Sequence, residues 1–176
     1  MLHSPSSAKL ILDAEQIRRK VTRIAYEIYE RNFEEERLLV AGVVTRGYRL
    51  AERICAVLDR DSAFTFSSKK LQLVQVRPPS FADPSSPVTI DCDHDVLRGK
   101  SVVLIDDVMN TGKTLAHCAC PFLQYPIKKL EAAVLVNRSH VQFPVAVSYT
   151  GYALATTLHD HIEVVLDDDM QAVYLR

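Results

Sequence analysis

In the stretch VVLIDDVMNTGKT, residues 102–114, Asp106 and Asp107 follow four apolar residues and precede Asn110-Thr111-Gly112-Lys113-Thr114. At the carboxyl end of a buried strand, just before a helix, such a segment lies where open α/β sheets place their ligands. Backbone N–H groups around Gly112, at the start of the next helix, can cradle a phosphate with help from the helix dipole. Lys113 adds a cation, and Thr111 and Thr114 add hydroxyl donors. Two carboxylates beside a phosphate cradle conflict unless the ligand is a sugar phosphate. Asp106 and Asp107 then accept hydrogen bonds from ribose hydroxyls while the loop takes the phosphate. Gly112-Lys113-Thr114 also matches the end of a Walker A loop, which needs a glycine five residues earlier. Position 107 is Asp, and the acid pair would repel a triphosphate.

A second cationic turn, Thr45-Arg46-Gly47, closes the apolar run 38–44 and suits an anion at another strand end. Other groupings read as structure. His117, Cys118 and Cys120 have the types of a metal cluster, but on a helix Cys118 and Cys120 point to roughly opposite faces. Residues 91–95, Asp-Cys-Asp-His-Asp, read as an exposed acidic turn, and residues 167–169, three aspartates, as a turn between late strands. His159-Asp160-His161 alternates like a strand edge and is given no catalytic role.

The elements that must position these groups follow from periodicity. Residues 10–12 are a short apolar run. Asp13 is then a helix cap, with Gln16 placed to complete a capping box. Ile17, Val21, Ile24, Ala25 and Ile28 recur at helical spacing and give one buried stripe. The opposite face carries Arg18, Arg19, Lys20, Arg23, Glu27 and Glu30. Glu15 with Arg19, Arg23 with Glu27, and Glu27 with Arg31 stand at i,i+4, so that face reads as ion-paired and solvated. Contact with RNA through Arg18, Arg19, Lys20 and Arg23 is the competing reading.

Residues 38–44, apolar on both faces, suit a central parallel strand. A helix follows through Leu50, Ala51, Ile54, Val57 and Leu58. Residues 71–76 form a strand less deeply buried because of Gln72 and Gln75. Pro78, Pro79, Pro84 and Pro87, half of the chain's 8 prolines, then impose a long loop. Loops of that length in compact domains are usually functional or disordered. Residues 102–105 are the most strongly apolar strand, and the helix after it should be kinked or ended early by Pro121. Further strands are expected at 130–136, 145–147, 162–166 and 172–175. Strands alternating with helices predict an α/β domain with a mainly parallel sheet.

Bulk properties agree. The 176 residues suffice for one domain with a full core. At 48% apolar and 24% charged residues, the composition is that of an ordinary globular protein. A net charge of −1 leaves no overall basic field to hold nucleic acid by phosphate neutralisation alone. No stretch approaches the length of a membrane span, the N-terminus has no apolar signal core, and four cysteines fit free thiols in a reducing cytoplasm.

The pattern of four apolar residues, two acids, two apolar residues and a Thr-Gly-Lys-Thr turn resembles the phosphoribosyl-pyrophosphate signature of type I phosphoribosyltransferases. Residues 10–32, 42–54 and 134–152 are similar to the PyrR-type members, which pair uracil phosphoribosyltransferase activity with RNA-dependent attenuation of pyrimidine operons. The resemblance covers nearly the whole chain and is weakest between residues 60 and 98. It implies the type I phosphoribosyltransferase fold, a parallel-rich sheet flanked by helices, as a single domain over 1–176 with a small hood largely at 137–160. It also implies that Thr45, Arg46 and Gly47 form the pyrophosphate loop. Mg²⁺ is then carried mainly by pyrophosphate and ribose oxygens, with no protein ligand assigned directly.

Residues 137–140, with Arg138 and His140, would cover the base. The implied ligands are 5-phosphoribosyl pyrophosphate, uracil or another base, and UMP, and a homodimer or higher homo-oligomer is expected. The chain departs from the PyrR-type pattern at three places. Tyr-Arg-Asp-Asp at the start of the mobile loop becomes Val76-Arg77-Pro78-Pro79, leaving Arg77 as its remaining cation, suited to the departing pyrophosphate. Asp-Arg-Gly-His in the hood becomes Asn137-Arg138-Ser139-His140. Basic residues after the hood are replaced by Ala146 and Tyr152, which removes cations that RNA contact needs.

Overall fold

The computed structural model describes residues 8–60, 71–80, 82–138, 140–155, 160–167 and 169–176. Ser139, His159 and Asp168, which figure in the motifs above, lie outside these residues. Strand β1 (Lys9–Leu12) leads into helix α1 (Ala14–Asn32). Asp13 caps the helix as expected: its side chain accepts from the Gln16 N–H at 2.8 Å, and the Gln16 side chain accepts from the Asp13 N–H at 2.9 Å. The predicted stripe Ile17, Val21, Ile24, Ala25 and Ile28 is fully buried. Each aliphatic side chain so removed from water contributes roughly 1.5–3 kcal/mol.

The main sheet follows from the apolar runs. Strands β2 (Leu38–Val43), β3 (Leu71–Arg77), β5 (Ser101–Met109), β6 (Lys129–Asn137) and β7 (Tyr149–Ala153) are parallel, and β4 (Thr89–Ile90) adds an antiparallel edge. The order is β4-β3-β2-β5-β6-β7, so β2 and β5 are central, and every residue of β2 is buried. Helices α1 and α2 (Arg46–Arg60) pack on one face with Val40, Val103 and Ile105. Helix α3 (Lys113–Ala119) covers the other face with Leu39, Ala41, Leu104 and Val134. Helix α3 stops after 7 residues, just before Pro121, as the sequence predicted.

Two expectations need correction. Strand β5 runs to Met109, past residues 102–105, so both acids lie within the strand, with Asp106 in register with Val134 of β6. Residues 145–147 are not a strand. Val145 and Val147 pack against the α3-side core, but Pro144 and a tight 2.7 Å bond from Val145 N–H to the Phe143 carbonyl hold the backbone away from the sheet. The paired strand begins at Tyr149. Within the residues expected to form the hood, Tyr149–Ala153 is a strand of the main sheet. A separate antiparallel sheet, β1-β9-β8, joins the N-terminal strand to β8 (Ile162–Leu166) and β9 (Gln171–Leu175).

Candidate active site

A cavity of about 670 Å³ opens at the carboxyl ends of β2, β3 and β5. Parallel strands end there together, so side chains far apart in sequence share one rim. Val43, Val44, Thr45 and Arg46 contribute one wall, and Asp106, Asp107 and Val108 the floor. Asn110, Lys113, Thr114 and His117 form the α3 side. Pro78, Pro79, Ser80 and Pro84 close another side, and His161 and Ile162 come from the smaller sheet. The structure thus brings together Thr45, Arg46, Asp106, Asp107, Asn110, Lys113 and Thr114 from the residues singled out in the sequence.

The acids differ in setting. Asp106 is only 8% exposed, and its carboxylate accepts from the Asp107 N–H at 2.9 Å. Burial, and then the charge of Asp107, push its pKa well above the usual carboxylate range. Asp107 is half-buried and lies 4.0 Å from the Arg46 guanidinium, a contact too long and too exposed to contribute much stability. Gly47 does not line the cavity but permits the arrangement. A Cβ there would stand 2.6 Å from the Ile105 carbonyl and 2.8 Å from Asp106 Cα, so only glycine lets the first turn of α2 approach β5. The Val44–Thr45 peptide is cis.

The loop 110–114 is compact. Gly112 adopts φ 84°, a left-handed conformation that favours glycine, and the Lys113 N–H donates to the Thr111 hydroxyl at 3.3 Å. Thr111 and Gly112 lie behind the cavity surface, where Gln142 and Phe143 N–H groups both donate to the Thr111 carbonyl. Arg138, expected over the base, is 7% exposed and donates to the Asn110 side chain at 2.9 Å. Neither it nor the half-buried His140 lines the cavity. Arg77 ends β3 in register with Thr89, exposed and outside the lining, whereas its neighbour Pro78 is inside.

Two residues that the sequence reading set aside, His117 and His161, line the cavity. His117 stands one turn beyond Lys113 on α3, so helical spacing could have found it. His161 reaches the cavity only because its backbone pairs in both directions with Arg176. Of the cysteines near the site, Cys118 is buried in the core and its thiol is pushed up to about 12, chiefly by burial, which keeps it inert, while Cys120 is exposed. All four cysteines are free thiols.

On α1 each candidate RNA-contacting cation has a partner within the chain. Arg18 and Arg19 pair with Glu15. Arg23 pairs with Glu27 and donates to the Thr150 and Gly151 carbonyls, and Lys20 lies 5.8 Å from the Tyr152 ring centre. Arg31, the third expected pairing on this face, sits over the Tyr149 ring.

This geometry joins a pair of acids, a glycine-centred turn and a second cationic turn at one end of the main sheet. The family model described as "Phosphoribosyl transferase domain" matches residues 7–165. The chain belongs to the phosphoribosyltransferase family. Within it the chain is of the PyrR type. It is 33% identical over 174 residues to the bifunctional protein PyrR of Macrococcus caseolyticus, spanning 96% of this chain and 98% of that one. It is 32% identical over 160 residues to the protein of the same name from Deinococcus radiodurans, spanning 90% and 87%. The hypoxanthine phosphoribosyltransferase of Trypanosoma cruzi superimposes with a TM-score of 0.75 at 16% identity over 95% of each chain, a likeness of fold. Among the described residues no helix is long and apolar enough to cross a membrane.

Proposed function

We propose that this phosphoribosyltransferase uses uracil, converting uracil and 5-phosphoribosyl pyrophosphate to UMP and pyrophosphate. The observation that carries the reading is the convergence of Asp106 and Asp107 with Lys113 and Thr114 on one side and Thr45 and Arg46 on the other, in a single cavity. The uracil assignment rests on the PyrR-type relatives, which match at 32–33% identity, against 16% for the purine-named T. cruzi structure.

In this reading the loop 110–114 takes the 5-phosphate and the acids hold the ribose hydroxyls. The bond from the anomeric carbon to pyrophosphate breaks, a bond to a uracil ring nitrogen forms, and the nitrogen's proton leaves to solvent. Positive charge develops on the ribose as the bond breaks, as in glycosidic cleavage. Asp107, at the cavity floor, is placed to stabilise that charge. Arg46 meets the charge of the departing pyrophosphate, an electrostatic contribution that needs a fixed cation. Orienting the base contributes more than any strong base would.

Among the described residues no group of three His, Cys, Asp or Glu side chains is placed to hold a metal ion. Mg²⁺ would be carried by substrate oxygens, and Asp107, which lines the cavity, would be the acid of this chain available to it. When bound, the ion neutralises charge on the leaving group. Arg77, adjacent to cavity-lining Pro78, is proposed as the cation that joins the site when the proline segment closes and excludes water. A homo-oligomer in the cytoplasm completes the reading.

The attenuator reading, in which UMP-responsive RNA binding is the main activity, draws less support because Arg18, Arg19, Lys20 and Arg23 are engaged within the chain. Incubation with 5-phosphoribosyl pyrophosphate, Mg²⁺ and a panel of bases tests the assignment. Uracil should be consumed with release of pyrophosphate. Preference for hypoxanthine, guanine or another base would overturn it.

A further inference from the structure

We propose that Arg138 is a positioning residue for the phosphate loop, and that Arg138, Gln142 and Phe143 form a clasp on that loop instead of a wall against the base. The proposal rests on the phosphoribosyl reading of the loop given above. Three successive positions of the loop are held by this one segment. The Arg138 N–H donates to the carbonyl of Met109, the last residue of β5, at 3.0 Å. The Arg138 guanidinium donates to Asn110 Oδ1 at 2.9 Å. The Gln142 and Phe143 N–H groups both donate to the Thr111 carbonyl, at 2.9 and 3.1 Å. At the next position, a Cβ on Gly112 would stand 3.4 Å from the Phe143 carbonyl, so the clasp closes directly on the turn.

Burial sets the direction of the effect. Arg138 is 7% exposed and lies behind the cavity surface, whereas Asn110 is exposed and lines the cavity. A guanidinium is costly to bury and is retained where its planar fork fixes an acceptor. The acceptor here is the first loop side chain to face the ligand. Holding Asn110, with the Thr111 carbonyl turned toward the clasp, leaves the following N–H groups oriented for an anion before it arrives. A preorganised loop loses less freedom on binding, so the clasp acts on phosphate affinity. The base should be indifferent to it.

Two measurements test this. Calorimetry with ribose 5-phosphate, which carries no base, should show at least tenfold weaker binding for Arg138→Met. The KM for uracil at saturating 5-phosphoribosyl pyrophosphate should change less than twofold. Asn110→Ala removes the same bond at an exposed position and keeps the fold. The double variant should be no worse than the weaker-binding single variant. A raised uracil KM with intact ribose 5-phosphate affinity, or independent effects of the two substitutions, would overturn the proposal.

Amide exchange in the unliganded protein reads the clasp with no ligand at all. The Gln142 and Phe143 N–H groups should exchange at least tenfold faster in Arg138→Met, and unchanged protection in a folded variant counts against the clasp. If the unsubstituted protein binds no ribose 5-phosphate, the phosphoribosyl reading falls, while amide exchange still decides the clasp.

Discussion

Gly47→Ala tests the junction on which the site is built. The added methyl would stand 2.6 Å from the Ile105 carbonyl oxygen, 2.8 Å from Asp106 Cα and 3.0 Å from Asp106 Oδ1. Ordinary contact begins at 3.4 Å, so the start of α2 must withdraw from β5 by about 0.8 Å. Two of the three obstructing atoms are backbone in a central strand paired on both sides, and they will not move. Helix α2 cannot tilt freely either, because Leu50, Ala51, Ile54 and Leu58 are fully buried.

Overpacking of this kind costs about 1–3 kcal/mol. For a chain of this size that is a fall in Tm of roughly 2–12 °C. The catalytic effect should be larger in proportion. Thr45 and Arg46 ride on the same turn, and a displacement of about 1 Å between reacting groups costs on the order of 10²-fold in rate. Thermal melting followed by circular dichroism, with kcat/KM for pyrophosphate release, checks both parts. A variant that melts and turns over like the unsubstituted protein would refute the claim that close approach of α2 to β5 sets the site.

Other perturbations separate binding, stability and regulation. Burial and Asp107 raise the folded-state pKa of Asp106 above its unfolded value, so its contribution to stability is present at low pH and lost as pH rises through the folded pKa. Asp106→Asn should therefore melt above the unsubstituted protein at pH 8, with the gap closing toward pH 4, while ribose binding weakens; a gap that widens on acidification would reverse the sign. Tyr149→Phe removes a buried hydroxyl that donates to Glu131 at 2.9 Å and accepts from Asn32 at 3.3 Å. Chemical denaturation should show a loss of about 1–2 kcal/mol with turnover unchanged, and a neutral result would mean water replaces the hydroxyl. Arg77→Ala should lower turnover at least tenfold, about 1.4 kcal/mol in the barrier, with UMP affinity barely changed; wild-type turnover would remove Arg77 from the chemistry. Binding to a pyrimidine-operon leader should be weak and strongly salt-dependent in gel-shift titrations, and tight UMP-stimulated binding at physiological salt would make regulation the main activity.

The sequence by itself determined the parts that depend on local pattern. A capping box needs only Asp13 and Gln16, the α1 stripe needs only 3.6-residue spacing, and the central strands needed only apolar runs bounded by polar turns. The acids and the glycine turn of residues 106–112 were legible for the same reason: anion binding at a strand–helix turn is local backbone chemistry. Tertiary structure decided what depends on neighbours distant in sequence. Asp106 and Asp107 look equivalent in the chain, yet Gly47 and β6 bury the first almost completely and leave the second half-buried on the same cavity floor. Val145 and Val147 have strand composition, but the bonds tying Gln142 and Phe143 to Thr111 spend that backbone on the phosphate loop. Arg138 reads as a base-facing cation until its bond to Asn110 places it behind the cavity. His161 reaches the cavity only through pairing of the chain's last residue with the start of β8. Side-chain type and spacing specify which chemistry a segment can perform, whereas burial and long-range pairing specify which atom faces the ligand.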